Sequence, residues 1–179
     1  MRIAMPEAHE QEPLRYLSDH YAPEMVRAGF AFSDVTYSLS KLPMRVFEGA
    51  RYQTALINGC QLCRGFRVNR DRAGTVGPSV TNNGPAPDEA FYEAVHDYKN
   101  SQIMSTREKL ACEYAEGIGR DPMGIAANED FWARFKAHFS DDEIVDLSFC
   151  VAVWIGIGRA AHVMGLDAVC ALPALREVA

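Results

Sequence analysis

The stretch from Ser140 to Gly165 constrains the fold of this 179-residue chain most. Ser140-Asp-Asp-Glu143 is a capping-box pattern, in which a serine and a glutamate three residues later satisfy the free N–H groups at the start of a helix. This helix is predicted to run to about Met164, with Gly165 as its C-terminal stop. Because Phe149 to Gly158 is apolar on every side, the helix must be covered all round, by the rest of a bundle or by another subunit.

Helical punctuation recurs throughout the chain, and no strand-like alternation persists, so we expect an all-α fold. Pro43 suits the first turn of a helix that ends at Asn58-Gly59, and Cys60 then opens a new helix. A second capping box, Ser105-Thr-Arg-Glu108, opens a helix that is predicted to end near Gly117. Asn128 can cap another helix, to about Phe139.

One segment breaks this pattern. The glycines and prolines between Gly74 and Asp88 exclude regular structure over about fifteen residues, a length that is uncommon inside compact domains. We expect a covering loop or a disordered segment there, followed by a short helix around Asp88 to Tyr98.

Length and charge narrow the class of protein. A chain of 179 residues most simply forms one domain, and its apolar share of 48% is that of an ordinary globular protein. The formal net charge of -6 and the lack of a basic run argue against nucleic acid as a partner. The longest apolar stretch stops at Arg159, short of the ~20 residues that span a bilayer, and acidic residues interrupt the start of the chain. We therefore expect a cytoplasmic protein with no membrane association.

The candidate site is the pair Cys60-Gln61-Leu62-Cys63. Two thiols at this spacing at the start of a helix can exchange a disulfide between themselves. A thiol reacts as its thiolate. The first turn of a helix favours an anion, and Arg64 and Arg67 each follow one of the two cysteines by four residues.

Glu48 lies twelve residues before Cys60, on the preceding helix. If the two helices are antiparallel, this carboxylate comes near the sulfurs and can pass protons to or from a thiol. The alternative is that Glu48 pairs with Arg51 or Arg45 on a solvated surface.

The remaining cysteines and the histidines suggest no second site. Five cysteines in a chain of this size make a structural disulfide framework improbable, and Cys112, Cys150 and Cys170 read as small buried residues. A structural zinc site normally needs four ligands, and no second Cys or His pair accompanies the first. We expect neither a metal nor a cofactor.

The order Glu48, Asn58-Gly59, Cys60 and Cys63 resembles the AhpD-like alkylhydroperoxidase branch of the carboxymuconolactone decarboxylase family. Further matches lie in the second half of the chain: Ser105-Thr-Arg-Glu-Lys-Leu, Tyr114-Ala-Glu, Asp121-Pro, Phe139-Ser-Asp-Asp-Glu-Ile-Val-Asp-Leu and Gly158-Arg-Ala-Ala-His. The resemblance implies a single AhpD-like helical domain over 1–179, with its core at about 43–165 and an N-terminal helical extension at 1–42. It also implies a homo-oligomer, as a dimer, trimer or hexamer.

The resemblance implies a role for each matching residue. Cys63 matches the cysteine that attacks a peroxide and becomes a sulfenic acid, and Cys60 matches the partner that condenses with it into a disulfide. Glu48 matches the glutamate of a proton relay. Arg67 stands where the family normally has a histidine, and a guanidinium can hold a thiolate but cannot relay a proton.

Three functions are compatible with these residues. The first is thiol-dependent antioxidant chemistry, on a hydroperoxide or a disulfide, with electrons from a donor protein or a small thiol. The second is a cofactor-independent lyase on a small acidic metabolite, with Arg64, Arg67 and Arg70 as a carboxylate clamp. The third is a catalytically weakened helical oligomer that has kept the fold.

Overall fold

The computed structural model describes residues 2–10, 12–74 and 76–166. Over these residues the chain is all-α, as predicted, with ten α-helices, two short 3-10 turns and no strand. The helices are α1 (Pro13–His20), α2 (Pro23–Leu39), α3 (Met44–Asn58), α4 (Gln61–Gly65), α5 (Val68–Asp71), α6 (Glu89–Val95), α7 (Thr106–Arg120), α8 (Pro122–Ala127), α9 (Glu129–Lys136) and α10 (Asp141–Met164).

Helix α3 is the centre of the bundle, with α7 and α10 packed against it. Twelve of its fifteen residues are buried, so it is covered on nearly every side. Gly49 brings α3 close to α7, because a Cβ atom at this position would lie 3.3 Å from the Cys112 sulfur. The main core also contains an aromatic cluster, Phe131 and Phe135 of α9 with Tyr114 of α7.

The local hydrogen bonds explain where the helices begin and end. Both predicted capping boxes are present, at Ser105 and Ser140. Gly165 ends α10 in the left-handed region, at φ 74°, as expected for a C-terminal stop. Two predicted ends are wrong by three residues: α7 continues past Gly117 to Arg120, and α9 ends at Lys136 rather than Phe139.

The segment before α6 is irregular apart from one 3-10 turn, Val80–Asn82, and it is packed rather than detached. Val80 is fully buried in the main core. The Asn83 side chain donates hydrogen bonds to the carbonyls of Ser40 and Leu42, and the backbone carbonyl of Asn83 accepts one from Met44 N–H. This loop therefore braces the start of α3.

Helix α10 has a buried side and an exposed side. Its buried side faces α3 and α7, whereas Val145 and Phe149 are more than half exposed. Its most apolar 18 residues have a mean hydropathy of 1.7 and are one third buried. By length and composition α10 could cross a membrane, a test that core helices of soluble proteins also pass.

The first forty residues form α1 and α2, and α2 packs against α10. The Ser40 hydroxyl and the Lys41 N–H both donate to Asp146 at the start of α10, which fixes the end of α2. This N-terminal segment is helical over Pro13–His20 and Pro23–Leu39, and its assignment as an extension of an AhpD-like domain stays a prediction.

Candidate functional site

The two cysteines form a disulfide, with their Cα atoms 5.3 Å apart. Helix α3 ends because Gly59 adopts the left-handed conformation, at φ 69°, which turns the chain into α4. Cys60 caps α4, and its sulfur accepts a hydrogen bond of 3.2 Å from the Cys63 N–H. The prediction that Cys60 opens a helix and lies within bonding distance of Cys63 is confirmed.

The two sulfur-bearing residues differ in exposure. Cys60 is 1% exposed, whereas Cys63 is half-buried. The backbone N–H of Cys63 donates to the Cys60 sulfur, and this hydrogen bond would stabilise a thiolate at Cys60. Cys63 is therefore the more exposed of the two residues, and the Cys60 sulfur is the one that accepts a backbone hydrogen bond.

Glu48 is completely buried, and its carboxylate is fully engaged. Its Oε1 accepts a hydrogen bond of 2.5 Å from Arg51 Nε, its Oε2 accepts one of 3.1 Å from Arg51 Nη2, and the Tyr92 hydroxyl also donates to Oε2. Glu48 thus pairs with Arg51, one of the two partners expected from the sequence. The expectation that this pair lies on a solvated surface is wrong, because Arg51 is only 3% exposed. The role of Glu48 as a proton relay stays a prediction.

Arg51 connects this ion pair to the cysteine helix. Its Nη1 donates to the carbonyl oxygen of Cys63 at 2.7 Å, and its Nη2 donates to that of Phe66 at 2.9 Å. Burial alone would lower the pKa of Arg51, but the adjacent Glu48 carboxylate outweighs it and raises the pKa, so the guanidinium stays charged. From the sequence, Arg51 is only a possible partner of Glu48, and its bonds to α4 are not predicted.

Arg67 also binds the C-terminal end of α4. It forms an ion pair with Glu89, at 2.8 Å between Nη2 and Oε2, and donates from Nη1 to the carbonyls of Arg64 and Phe66. Its guanidinium carbon lies 3.8 Å from the centre of the Tyr92 ring. The hydrogen bonds of Arg67 thus run to carbonyls and to Glu89, and its predicted hold on a thiolate stays a prediction.

Together, Arg51, Arg67 and Arg70 form what we call the arginine clamp. Arg70 donates to the Gly65 carbonyl, so the carbonyls of all four consecutive residues 63–66 accept hydrogen bonds from these three arginines. The last carbonyls of a helix have no intrahelical partner, and cations near them are favourable. The clamp therefore holds a helix of only five residues that could not be stable on its own.

A cavity of about 330 Å³ lies against the disulfide. Both cysteines line it, and most of its wall is apolar, from α2, α3, α4 and α10 together with Leu14 and Leu166. The apolar side chains are Leu14, Phe30, Ala55, Leu62, Phe66, Val153, Trp154, Ile157, Ala161 and Leu166. No described residue between Gly74 and Asp88 contributes, so among the described residues this predicted covering loop is not part of the cavity wall, whereas the N-terminal helices are.

Tyr37 of α2 is a cavity residue that the sequence analysis missed. Its ring contacts those of Phe47, Phe66 and Trp154. Burial raises the pKa of Tyr37 to about 12, so its hydroxyl is neutral over the physiological range.

The other two described cysteines form no disulfide. Cys112 and Cys150 are free and buried, and burial raises the pKa of both thiols, which keeps them protonated and inert. Their predicted burial is confirmed, whereas Cys170 lies outside the described residues.

Comparison with known proteins adds no family assignment. No protein-family model matches the chain, and a search of curated proteins finds no significant match. The functional argument therefore depends on the site itself.

Proposed function

We propose that this protein is a thiol-dependent antioxidant oxidoreductase of the AhpD-like type, which reduces hydroperoxides through Cys60 and Cys63. The observation that supports this best is the disulfide at the wall of a mostly apolar cavity, whereas the other two described cysteines are free, buried and not part of that wall. A reactive pair in contact with a small-molecule cavity has both the chemistry and the access that a peroxidase needs.

The oxidative half of the cycle starts from the dithiol form. The Cys63 thiolate, on the more accessible residue, attacks the terminal oxygen of ROOH; the O–O bond breaks, Cys63 becomes a sulfenic acid, and RO⁻ takes a proton to leave as ROH. The Cys60 thiol then attacks the Cys63 sulfur, which forms the disulfide and releases water. One hydroperoxide is reduced by two electrons, and the two thiols supply them.

The reductive half needs a dithiol donor, which attacks the sulfur of Cys63, the more exposed residue. The Cys60 sulfur is then the leaving group, and the Cys63 N–H that bonds to it stabilises the departing thiolate. A second thiol of the donor resolves the mixed disulfide, so the donor leaves as a disulfide. The pair can serve disulfide exchange by the same steps.

The first test is a mass measurement of the reduced protein before and after one equivalent of hydroperoxide. We expect the loss of two hydrogens, mapped to the single peptide that contains Cys60 and Cys63. Cys63→Ser should abolish peroxide consumption, and Cys60→Ser should stop at a sulfenic acid. Cys112→Ser is the control, and two unreactive thiols at the pair would refute the proposal.

The lyase alternative loses the observation that favoured it. Of its three arginines, Arg67 is paired with Glu89 and Arg70 with Asp71, and both also bind carbonyls of α4. Binding of a dicarboxylate that persists after both thiols are blocked would revive this alternative.

A disulfide-exchange rate no higher than that of free cysteine would favour the third candidate, a catalytically weakened oligomer.

We also propose that the chain forms a homo-oligomer through an exposed apolar surface of α2 and α10. Seven large apolar side chains of these two helices are more than 40% exposed: Met25, Phe32, Val35, Leu39, Val145, Phe149 and Val163. The rings of Phe32 and Phe149 lie 6.3 Å apart, so the two helices share one apolar surface. This face would complete the cover that α10 requires on its second side.

Light scattering tests this assembly. We expect Phe149→Glu to reduce the mass of the particle, whereas Met123→Glu, at an exposed apolar residue of α8, should leave it unchanged. A wild-type protein that is monomeric at high concentration would refute the oligomer.

A further inference from the structure

Helix α2 presents one face to the cavity beside the disulfide. Four of its residues line the cavity, at the i, i+3, i+4 and i+7 spacing of a single helix face: Phe30, Ser33, Asp34 and Tyr37. This face adds the hydroxyls of Ser33 and Tyr37 to a wall that is otherwise mostly apolar.

The charged side chains of the wall already have partners. Arg51 is bound to Glu48 and to two carbonyls of α4. The Thr54 hydroxyl donates to the carbonyl of Arg51 at 2.7 Å. Arg72 forms an ion pair with Asp34, at 2.8 Å between Nη2 and Oδ1. These groups are therefore engaged by the fold itself.

The polar atoms of Asn58 and Trp154 are not open to a ligand. Asn58 Nδ2 donates to the backbone carbonyl of Trp154 at 2.9 Å, and Gly158 leaves the space for this contact. Asn58 Oδ1 and Trp154 Nε1 have no partner, but the packing seals both atoms from a molecule as small as water.

The Tyr37 hydroxyl differs from these atoms. It forms no hydrogen bond with any residue that the structure describes, yet it is not among the buried polar atoms that the packing seals. The rings of Phe47, Phe66 and Trp154 enclose the Tyr37 ring, and burial is the main cause that raises the pKa of its hydroxyl. The open surface of this hydroxyl therefore belongs to the cavity and not to bulk solvent.

The length of a tyrosine explains why this hydroxyl stays unpartnered. A serine hydroxyl on a helix can turn back to the carbonyl one turn earlier. The Tyr37 hydroxyl lies at the far end of a rigid ring, so it cannot reach the backbone of its own helix. A buried hydroxyl without a partner is costly and rare, and a ligand in the cavity would supply the missing bond.

We infer that Tyr37 is a further catalytic residue, whose hydroxyl binds and then protonates the oxygen that leaves when Cys63 attacks the hydroperoxide. This inference rests on the proposed function. Both residues line the same cavity of about 330 Å³, which is small enough for one bound hydroperoxide to contact both.

The proton transfer completes the oxidative half of the cycle. The Cys63 thiolate bonds to the terminal oxygen of ROOH, the electron pair of the O–O bond goes to RO⁻, and the Tyr37 proton converts RO⁻ to ROH. The tyrosinate regains, through water, the proton that Cys63 gave up on ionising. Glu48 does not line the cavity, and its carboxylate is held by Arg51 and Tyr92, whereas Tyr37 lies in the wall.

Single-turnover kinetics of the reduced protein test this role. Tyr37→Phe removes the hydroxyl and keeps the ring. We expect cumene hydroperoxide to oxidise Tyr37→Phe about a hundredfold more slowly than the wild type, as when other positioned donors are removed. Alkylation of Cys63 by iodoacetamide, followed by mass, should be unchanged, because iodide leaves without a proton.

Tyr114→Phe is the matched control, because the Tyr114 hydroxyl bonds to Ser148 and does not line the cavity. It should alter neither rate. Equal oxidation rates of the wild type and Tyr37→Phe would overturn the inference. So would an equal slowing of oxidation and alkylation, since that would show a change in the thiolate itself.

Binding to the oxidised protein separates the hydrogen bond from the peroxide chemistry. The probes are 2-phenyl-2-propanol, the alcohol that cumene hydroperoxide leaves behind, and tert-butylbenzene, which has no oxygen. By calorimetry, Tyr37→Phe should weaken the alcohol about fivefold and leave tert-butylbenzene unchanged. Equal affinities of the two proteins for the alcohol would overturn the inference. If the alcohol weakens as expected but the wild type consumes no peroxide, the hydrogen bond stands and the catalytic role falls with the antioxidant function.

Discussion

Replacing Arg51 with methionine tests how the fold holds the cysteine helix. The change removes the partner of the fully buried Glu48 carboxylate and both hydrogen bonds to the carbonyls of Cys63 and Phe66. Breaking a buried ion pair by removing one partner costs about 3 to 5 kcal/mol. Domains of this kind have a free energy of unfolding of only about 5 to 15 kcal/mol, so we expect a large loss.

Urea unfolding measures this loss. With an m-value of about 2 kcal/mol per molar, Arg51→Met should lower the unfolding midpoint by about 2 M. The double variant Glu48→Leu/Arg51→Met should recover at least half of the loss, because an apolar pair no longer leaves a charge buried and unpaired.

Arg70→Met is the matched control, because Arg70 binds the adjacent Gly65 carbonyl from an exposed position and pairs with Asp71. We expect it to cost less than about 1 kcal/mol, as exposed ion pairs do. The rate at which dithiothreitol reduces the native disulfide should also rise in Arg51→Met, because α4 loses its hold. If Arg51→Met were no more costly than Arg70→Met, the buried ion pair would not be what secures the helix.

Three further changes test other parts of the site. Burial raises the pKa of Tyr37 from 10.0 to about 12, so the stability that its neutral hydroxyl provides is present below pH 10 and lost as the pH rises through 12. At pH 11 the loss is about 1.4 kcal/mol, which Tyr37→Phe should abolish; equal stability changes of the two proteins between pH 8 and pH 11 would contradict this. Arg67→His should raise the rate of peroxide consumption, since imidazole can relay a proton, and no gain would count against the relay argument. Gly158→Ala should displace the Asn58 side chain and lower the thermal unfolding temperature, whereas Gly156→Ala, with open space at its Cβ position, should raise it; the same shift for both would show that Asn58 does not depend on this contact.

The parts of the fold that the sequence predicted are those set by neighbouring residues. The capping boxes at Ser105 and Ser140, and the stop at Gly59, depend on hydrogen bonds and backbone angles within a few positions. The closeness of Cys60 and Cys63 is local in the same way, since three residues at the start of a helix cannot separate them far.

The parts that could not be predicted depend on long-range packing. The position of Arg51 on α3 gave no sign that its guanidinium would reach the carbonyl of Cys63, because that contact needs the turn at Gly59 to set α4 against α3. Tyr37 and Phe30 reach the cavity only because α2 packs on α10, more than a hundred positions later in the chain. The sequence left two arginines, Arg45 and Arg51, as possible partners of Glu48. Only the packing of the helices shows that Glu48 pairs with Arg51 and that the pair is buried.

The residues that hold the disulfide and the residues that α1 and α2 contribute to the cavity wall lie in different parts of the chain. The disulfide and the arginines that bind α4 lie between Arg51 and Arg70, whereas α1 and α2 contribute Leu14, Phe30 and Ser33 to the cavity wall. Under the proposed function, exchanging α1 and α2 would therefore change which substrates fit the cavity and leave the disulfide and the arginines that bind α4 in place.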